Sequence, residues 1–325
     1  MKRLLTILFA TFAGVAPAQT YQPAQHTRPV PLVARAAAEE LILLADQGTT
    51  MEHDRPAAYM LAEHRRLATA LAGLQPQRKG IVDAYVVVAA LDSDPVFGRE
   101  ARAAADVLTR RYGADGRTIV LAGSDGAADS ALPMGSPMNL DMALARVAEV
   151  MDVNEDVLVL YTTSHGAKFG IVYNDGDQGF GAISPTRLWT TLSQLGIRNR
   201  LILISACYAG VFVPLLSGDG TAIVTAASAD RTSFGCQADN DWTFFGDALV
   251  NHALRKPQSL AAAADEAMQK IAGWEAEAKL EPSQPQMSIG AGAAKWLAAL
   301  DARAPKNASA PVGRPANATL QTAAR

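Results

Sequence analysis

The chain has 325 residues, of which 49% are hydrophobic, enough for one large domain with a substantial core or two smaller ones. Its 29 Lys and Arg residues nearly balance 32 Asp and Glu residues, and the formal net charge is -3. The sequence has no basic stripe with interleaved aromatic residues, so a nucleic-acid partner is not expected.

The first residues have the pattern of an export signal. Lys2 and Arg3 give a positively charged start, residues 4–12 are mostly apolar, and Ala16-Pro17-Ala18 supplies small residues for cleavage. This apolar stretch is shorter than the roughly 20 residues that a membrane helix needs, and no later segment approaches that length. We therefore expect residues 1–18 to be a signal peptide, no membrane span in the mature protein, and a periplasmic or secreted location.

Residues 19–79 are expected to form an N-terminal helical region. A proline-containing stretch is followed, from about Val33 to Leu74, by Ala-rich charged sequence with helical periodicity. A pro-segment, a small accessory domain and a cap packed on the main domain all fit this pattern. The polar run at residues 75–80, with its Pro and Gly, marks the boundary.

Strand and helix patterns alternate from Asp83, which predicts βαβ units and a mostly parallel sheet in an α/β domain spanning residues 80–301. The predicted strands are residues 84–91, 118–122, the runs ending before His165 and before Cys207, 220–226 and 287–289. The predicted helices are residues 98–112, 139–150, 184–195, about 242–280 with a break near Lys256-Pro257, and 291–300. Residues 170–182 have a hairpin-like pattern. Residues 302–325 lack apolar periodicity and are predicted to be a disordered tail.

Two of the predicted strands end in chemically competent residues. His165 follows the apolar run from Val157, and Cys207 follows the run from Leu201. Both runs are typical of strands buried on both faces of a parallel sheet. Parallel neighbours joined by a helical crossover have their C-terminal ends at the same edge, so we expect His165 and Cys207 to lie close together there.

This pair predicts a cysteine nucleophile with a histidine base. A thiol needs a neighbouring base or positive charge to become the reactive thiolate, and His165 titrates near neutrality. The backbone N–H groups of Gly166 and Cys207 are candidate donors to a developing oxyanion. The alternative is that His165 is structural and that Cys207 is buried or bridged to Cys236, the other cysteine of this chain.

No cofactor and no metal are expected. The chain has no G-x-S-x-G elbow, and neither a dinucleotide-binding nor a P-loop glycine pattern follows a predicted strand. Two cysteines without a second nearby histidine give a zinc site little basis. Residues 174–179 lack the alternating ligand spacing of a calcium loop and are interpreted as a surface turn.

The motifs at His165 and Cys207 resemble those of the legumain-like cysteine peptidases, which share a fold with caspases and gingipains. The matching stretches are Thr163-Ser164-His165-Gly166, Ile204-Ser205-Ala206-Cys207-Tyr208-Ala209-Gly210, residues 225–236 and residues 241–246. The resemblance covers about residues 83–300. It implies a caspase-like three-layer αβα sandwich with a mostly parallel six-stranded sheet, and a His165–Cys207 dyad.

The resemblance also implies a polar pocket for the substrate side chain. Arg99 matches the pocket arginine, Asp247 resembles the pocket aspartate, and Thr232 and Ser233 match a pocket wall and a substrate-pairing edge. The chain departs from the family pattern at three positions: Glu100 stands where legumains have His, Phe97 where some members have a supporting Asn, and Tyr208 where an acidic residue follows the nucleophile.

The expected function is that of an exported cysteine endopeptidase that acts on a peptide or protein substrate. The resemblance implies Asn, less readily Asp, at the cleavage site. A pocket that holds an acid and a base would bind an amide side chain, and a dominant acid would favour Arg or Lys. Peptide-bond transfer by the same dyad is an alternative. Another is a non-catalytic binding or scaffold protein with Cys207 and Cys236 bridged. The oligomeric state stays open.

Overall fold

The computed structural model describes residues 37–123 and 130–318. The α-helices of this part are α1 (Ala38–Asp46), α2 (Ala57–Ala72), α3 (Pro95–Tyr112), α4 (Pro137–Val150), α5 (Pro185–Gln194), α6 (Val213–Leu216), α7 (Leu260–Glu277) and α8 (Ala291–Arg303). The strands are β1 (Thr50–Glu52), β2 (Ala84–Ala90), β3 (Thr118–Leu121), β4 (Val157–Thr163), β5 (Gly166–Ala167), β6 (Gly170–Asp175), β7 (Gly179–Ile183), β8 (Arg200–Ser205), β9 (Thr221–Thr225) and β10 (Gln286–Ile289). The predicted signal peptide lies outside the described residues.

The main sheet has six strands in the order β10-β9-β8-β4-β2-β3. Every neighbouring pair is parallel except β9 and β10, which run antiparallel. All residues of β2, β4 and β9 are buried, as expected for strands covered on both faces. The predicted mostly parallel six-stranded sheet is confirmed.

Helices cover both faces of this sheet, because alternate side chains of each strand point in opposite directions. On β2, Val86 and Val88 contribute to an apolar cluster that includes Phe97 of α3. The intervening Val87 belongs to a second cluster, which includes Leu144 of α4. Two cores separated by one sheet make the three-layer αβα sandwich that the sequence predicts.

Helix starts follow local sequence signals. The side chains of Ser136, Ser184 and Ser259 each accept a hydrogen bond from a backbone N–H three residues later. Proline stands next to the first two of these serines, where its fixed φ suits a first helical turn. The helix predicted over residues 242–280 is divided: a π-helix covers Gly246–His252, a short 3₁₀ turn follows, and α7 begins at Leu260.

The N-terminal region is packed into the molecule through a second, antiparallel sheet. Its order is β1-β7-β6-β5, so β1 completes a sheet whose other strands come from the chain after His165. Arg55 is buried and contacts Asp175 at 2.6 Å, Glu52 at 2.6 Å and the hydroxyl of Tyr173 at 3.1 Å. This buried ionic cluster fixes β1 against β6.

The segment after α8 lies against the protein. The Trp242 indole donates to the carbonyl of Val312 at 2.9 Å, and the N–H of Ala316 donates to Asp247 at 2.8 Å. Residues 304–318 thus differ from the predicted disordered tail. Polar side chains of the main domain bind their backbone, and hydropathy patterns carry no signal for such contacts. Among the described residues, none of the helices is long and apolar enough to cross a membrane.

Candidate active site

The C-terminal ends of β4 and β8 bring His165 and Cys207 to one edge of the main sheet. The two strands are parallel neighbours, with Thr163 opposite Ser205, and the N–H of Ser164 donates to the carbonyl of Ser205 at 3.1 Å. His165 and Cys207 each follow two residues after these paired positions. The structure therefore places both where the parallel strand ends meet.

Gly166 lies directly against the backbone of Cys207. A Cβ at position 166 would be 2.0 Å from the Cys207 carbonyl oxygen and 2.9 Å from its nitrogen, so only glycine fits without movement. Tyr208, after the cysteine, has a left-handed φ of 56° and precedes a 3₁₀ turn that starts at Ala209, and its N–H donates to the carbonyl of Arg231 at 2.8 Å. The chain therefore turns directly after Cys207.

The Cys207 thiol lies among hydrogen-bond donors. Its Sγ accepts from the N–H of Ser233 at 3.3 Å, and the thiol of Cys236 hydrogen-bonds to it as well. The Cys236 thiol, the Ser233 donors and the positive charge of His165 outweigh burial and lower the pKa of Cys207 to about 6. The hydrogen bond to Cys207 and burial raise the pKa of Cys236, so Cys236 stays a protonated donor.

Two aspartates after β2 face His165. Its Nε2 lies 3.5 Å from Asp94 Oδ2, and the N–H of Asp94 donates to Asp92 Oδ1 at 2.8 Å. The hydrogen bond to Asp94, together with the negative charges of Asp92, Asp94 and Cys207, raises the pKa of His165 against the opposing effect of burial. Phe97 packs edge-on against the imidazole, with ring centroids 5.1 Å apart.

These groups are also the candidates for a metal ion among the described residues. Potential ligand atoms of Asp92, Asp94 and His165 lie within 4.8 Å of one another. The imidazole Nε2 of His165 already contacts the Asp94 carboxylate. This contact fits a carboxylate that orients the histidine.

Arg99 holds the loop that follows Ser233. Its Nη2 donates to the carbonyls of Ala238 and Asn240, and its Nε lies 3.2 Å from Asp241 Oδ1. The guanidinium and the Asp241 carboxylate are each about one-third exposed. The Arg99 guanidinium and the Asp241 carboxylate thus lie together at the loop whose residue Ser233 contacts Cys207.

Asp247 does not lie at this place, which corrects the assignment of the pocket aspartate. It is completely buried, accepts from the Asn251 amide at 2.8 Å and the Ala316 N–H at 2.8 Å, and lies 3.4 Å from His252 Nε2. The π-helix turns residue 247 into the interior.

Thr232 is exposed, whereas Ser233 is half-buried beside Cys207, with its carbonyl and hydroxyl oxygens each 3.6 Å from Sγ.

Glu100, at the position of a legumain histidine, is a buried structural acceptor. It receives hydrogen bonds from Tyr161 Oη, Thr163 Oγ1 and the N–H of Thr243, each at 2.7 Å. It joins α3 to the end of β4 and to the segment before the π-helix. A fully buried carboxylate thereby fixes these three parts of the chain to one another.

Sequence reasoning missed three residues of the site: Asp94, Cys236 and Asp241. Asp94 had an available signal, since polar residues directly after β2 lie at the same sheet edge as those after β4. Asp241 stands within a stretch that carried the family resemblance, but its sequence does not show which aspartate meets Arg99. The sequence leaves open whether Cys236 is free or bridged to Cys207, and both cysteines are free thiols in the structure.

A thiol with a lowered pKa and an imidazole on adjacent strand ends form the kind of arrangement that cysteine-dependent hydrolases use. Residues 138–293 match the model of the family described as the Peptidase C13 family, and this range contains His165, Cys207 and Asp241. This match supports a legumain-like cysteine-peptidase family for the chain. It also supports a cysteine-peptidase hydrolase with peptide or protein substrates.

No curated protein matches the chain significantly. Among solved structures, the crystal structure of caspase-1 from Spodoptera frugiperda is similar, with 13% sequence identity and a TM-score of 0.42. The similarity covers 66% of this chain and 92% of that one.

Proposed function

We propose that this protein is a cysteine endopeptidase in which Cys207 is the nucleophile and His165 the general acid and base. One observation carries the proposal: the Cys207 thiol has a pKa of about 6 and lies at the strand end next to that of His165. At neutral pH such a thiol is largely the thiolate, the reactive form. The pKa of His165 is raised, which favours a protonated imidazole beside this thiolate.

The chemistry follows from these charge states. The Cys207 thiolate attacks the substrate carbonyl carbon, and the N–H groups of Gly166 and Cys207 stabilise the negative charge that develops on the carbonyl oxygen. His165 gives its proton to the leaving amine, which departs and leaves a thioester. The neutral imidazole then takes a proton from water, whose oxygen attacks the thioester and releases the carboxylic acid and the thiolate.

For the substrate pocket we propose Arg99 and Asp241 as the recognition pair, with Ser233 at its edge. The 3.2 Å contact between the two side chains balances the charge of Arg99, so a neutral side chain with one donor and one acceptor matches them better than a charged one. This favours Asn at the cleavage position. A basic residue there is the alternative if substrate binding separates the pair.

Export is the remaining part of the proposal. It is supported by the basic start, the apolar stretch and the small residues up to Ala18. Expression of the full chain, followed by fractionation and intact mass measurement, tests it. A periplasmic or secreted product that begins near residue 19 is expected, whereas a cytoplasmic product that retains Met1 would contradict export.

The test of activity uses thiol-directed peptidyl probes with Asn, Asp, Arg or Lys at the cleavage position, mapped by mass spectrometry. We expect the Asn probe to modify Cys207 fastest, and expect Cys207→Ala to abolish turnover without unfolding the protein. His165→Ala should abolish labelling, while His53→Ala, at a half-exposed histidine paired with Asp54, should leave it unchanged.

Two outcomes would contradict the proposal. Comparable turnover in the Cys207→Ala variant would eliminate the dyad, and labelling that is independent of His165 would eliminate its role as acid and base. An added amine that appears in the product would instead identify peptide-bond transfer by the same dyad.

A further inference from the structure

A second thiol lies beside the proposed nucleophile, and hydrolysis does not use it as a reactant. Cys236 belongs to the loop that begins at Ser233, whose N–H, carbonyl and hydroxyl lie 3.3 to 3.6 Å from the Cys207 Sγ. Gly235, with a φ of +92°, turns this loop directly before Cys236. The two thiols are close enough for each to shift the pKa of the other, and both are free.

The surroundings of the two thiols favour different protonation states. Cys207 faces the positive charge of His165 and the N–H of Ser233, which favour its thiolate. Cys236 is half-buried against the apolar core and faces the negative charges of Glu100 and Asp92, which favour its protonated form. An oxidant in solution therefore reacts with the Cys207 thiolate, while the protonated Cys236 thiol lies beside it.

We propose that Cys236 is a resolving thiol, so that oxidation of Cys207 by a peroxide closes a Cys207–Cys236 disulfide and reversibly switches the peptidase off. The proposal rests on the function assigned to Cys207 above. The disulfide occupies the nucleophilic sulfur, and a reductant of the thiol class restores it. Cys236 also prevents irreversible oxidation of Cys207 to the sulfinic acid, because the sulfenic acid is consumed first.

The reaction balances in two steps. The Cys207 thiolate attacks one peroxide oxygen, the O–O bond breaks, and Cys207 sulfenic acid and hydroxide form. The Cys236 sulfur then attacks the sulfenic sulfur, and hydroxide leaves from that sulfur and takes up the Cys236 proton to form water. The hydroxide of the first step takes up the proton that the Cys207 thiol lost when its thiolate formed. Overall, two thiols are oxidised by two electrons to one disulfide, and hydrogen peroxide is reduced to two molecules of water.

The sequence suits a direct test, because trypsin cleaves after Arg231 and separates residues 201–231, with Cys207, from residues 232–255, with Cys236. The mature protein is treated with hydrogen peroxide, blocked with an alkylating reagent and mapped without reductant. We expect one linked pair of these two peptides, loss of activity, and recovery of most activity with dithiothreitol. The chain has no other cysteine to compete.

The matched variant is Cys236→Ser, with Cys236→Ala as a second variant if the serine form is unstable. Each is compared with its own untreated activity. With peroxide sufficient to convert exposed sulfenic acid further, the variant should accumulate Cys207 sulfinic acid and recover less than one-tenth of the activity that dithiothreitol restores to the wild type.

The proposal is overturned if the wild type accumulates Cys207 sulfinic acid with no linked peptides, or if the Cys236 variants recover as fully as the wild type. Because linkage is read by mass, it is scored separately from peptidase activity. A linked pair in a protein without turnover would reject the proposed function alone, and turnover without linkage would reject the resolving thiol alone.

Discussion

The charges around Cys207 and His165 set the pH range in which both groups are in their reactive forms. The pKa of Cys207 is lowered to about 6, so its thiolate forms above that pH and is lost as the pH falls through it. The pKa of His165 is raised above its usual 6.5, so the imidazolium is present below the raised value and lost above it. Activity is therefore expected between these limits, with an acid limb near pH 6.

Replacing Asp94 by Asn should narrow this range from the alkaline side. The variant keeps the shape of the side chain but removes the charge that contacts His165 Nε2 at 3.5 Å, so the pKa of His165 falls. In pH profiles of kcat/KM, the alkaline limb should move to lower pH while the acid limb stays near pH 6. Asp106→Asn, on the exposed face of α3, is the control, and an unchanged alkaline limb in Asp94→Asn would contradict this role.

A methyl group at Gly166 should impair catalysis more than stability. The Cβ would lie 2.0 Å from the Cys207 carbonyl oxygen, so the two backbones must separate and the oxyanion donors move. We expect Gly166→Ala to lower kcat/KM by about 10²-fold or more, the usual effect of losing one such donor. Gly218→Ala is the matched control, since a Cβ there meets no atom within 4 Å. Equal kinetics in both variants would exclude an oxyanion donor at position 166.

The residues of the site were predictable from sequence to different degrees. His165, Gly166 and Cys207 follow buried strands, and the continuous apolar run of such a strand is easily recognised in the sequence. Asp241 and Asp247 are six positions apart within one segment, and only the π-helix decides that Asp247 turns inward while Asp241 meets Arg99. Hydropathy does not encode this choice, because the extra residue in a π-turn leaves no periodic mark.

At the scale of elements, a buried ionic cluster joins β1 to β6. Arg55 contacts Glu52 and Asp175. Burial alone would lower the pKa of Arg55, but the negative charges of Asp175 and Glu52 outweigh burial and raise this pKa, which keeps Arg55 charged. Tyr173 donates to Glu52 at 2.7 Å and extends the cluster across the sheet. The N-terminal region is thus attached by a buried pair, Arg55 and Asp175, and by the more exposed Glu52.

Arg55→Met should destabilise the protein strongly, because it leaves the buried Asp175 without this cation. Loss of one partner of a buried ion pair costs about 3–5 kcal/mol in the free energy of unfolding. Lys256→Met, at an exposed pair with Glu266, is the control and should cost at most about 1 kcal/mol. Urea unfolding of both variants makes the comparison, and equal midpoints would contradict the assigned role of Arg55.

At the scale of the whole molecule, the chain segments on both sides of the main domain are bound to it. The N-terminal region supplies β1, and residues 304–318 bind Trp242, Asn251 and Asp247 near the π-helix. The sequence predicted the alternation of strands and helices, and with it the layers of the sandwich. It did not predict the docking of the last segment, because single backbone hydrogen bonds to polar side chains have no periodicity.

A protein that ends at Arg303 should unfold at a lower temperature. It loses the four hydrogen bonds that Trp242, Asn251 and Asp247 make with Val312 and Ala316. At about 1 kcal/mol net for each bond, the loss is about 4 kcal/mol, or a decrease in Tm of roughly 6 °C for a chain of this size. A protein that ends at Ala318 retains these bonds and is the control. The two truncations should therefore differ in thermal melts, and coincident melting curves would contradict the contribution of this segment.

The position of β1 also dictates an order of events during synthesis. Glu52 and its partner Tyr173 are 121 residues apart in the chain, so this contact closes a long loop. The N-terminal strand leaves the ribosome long before any residue it pairs with exists. β1 stays unpaired until β6 and β7 have been synthesised, and non-local pairings of this kind form slowly. The small antiparallel sheet is therefore assembled only after its first strand has already been exposed, and β1 has no strand partner until then.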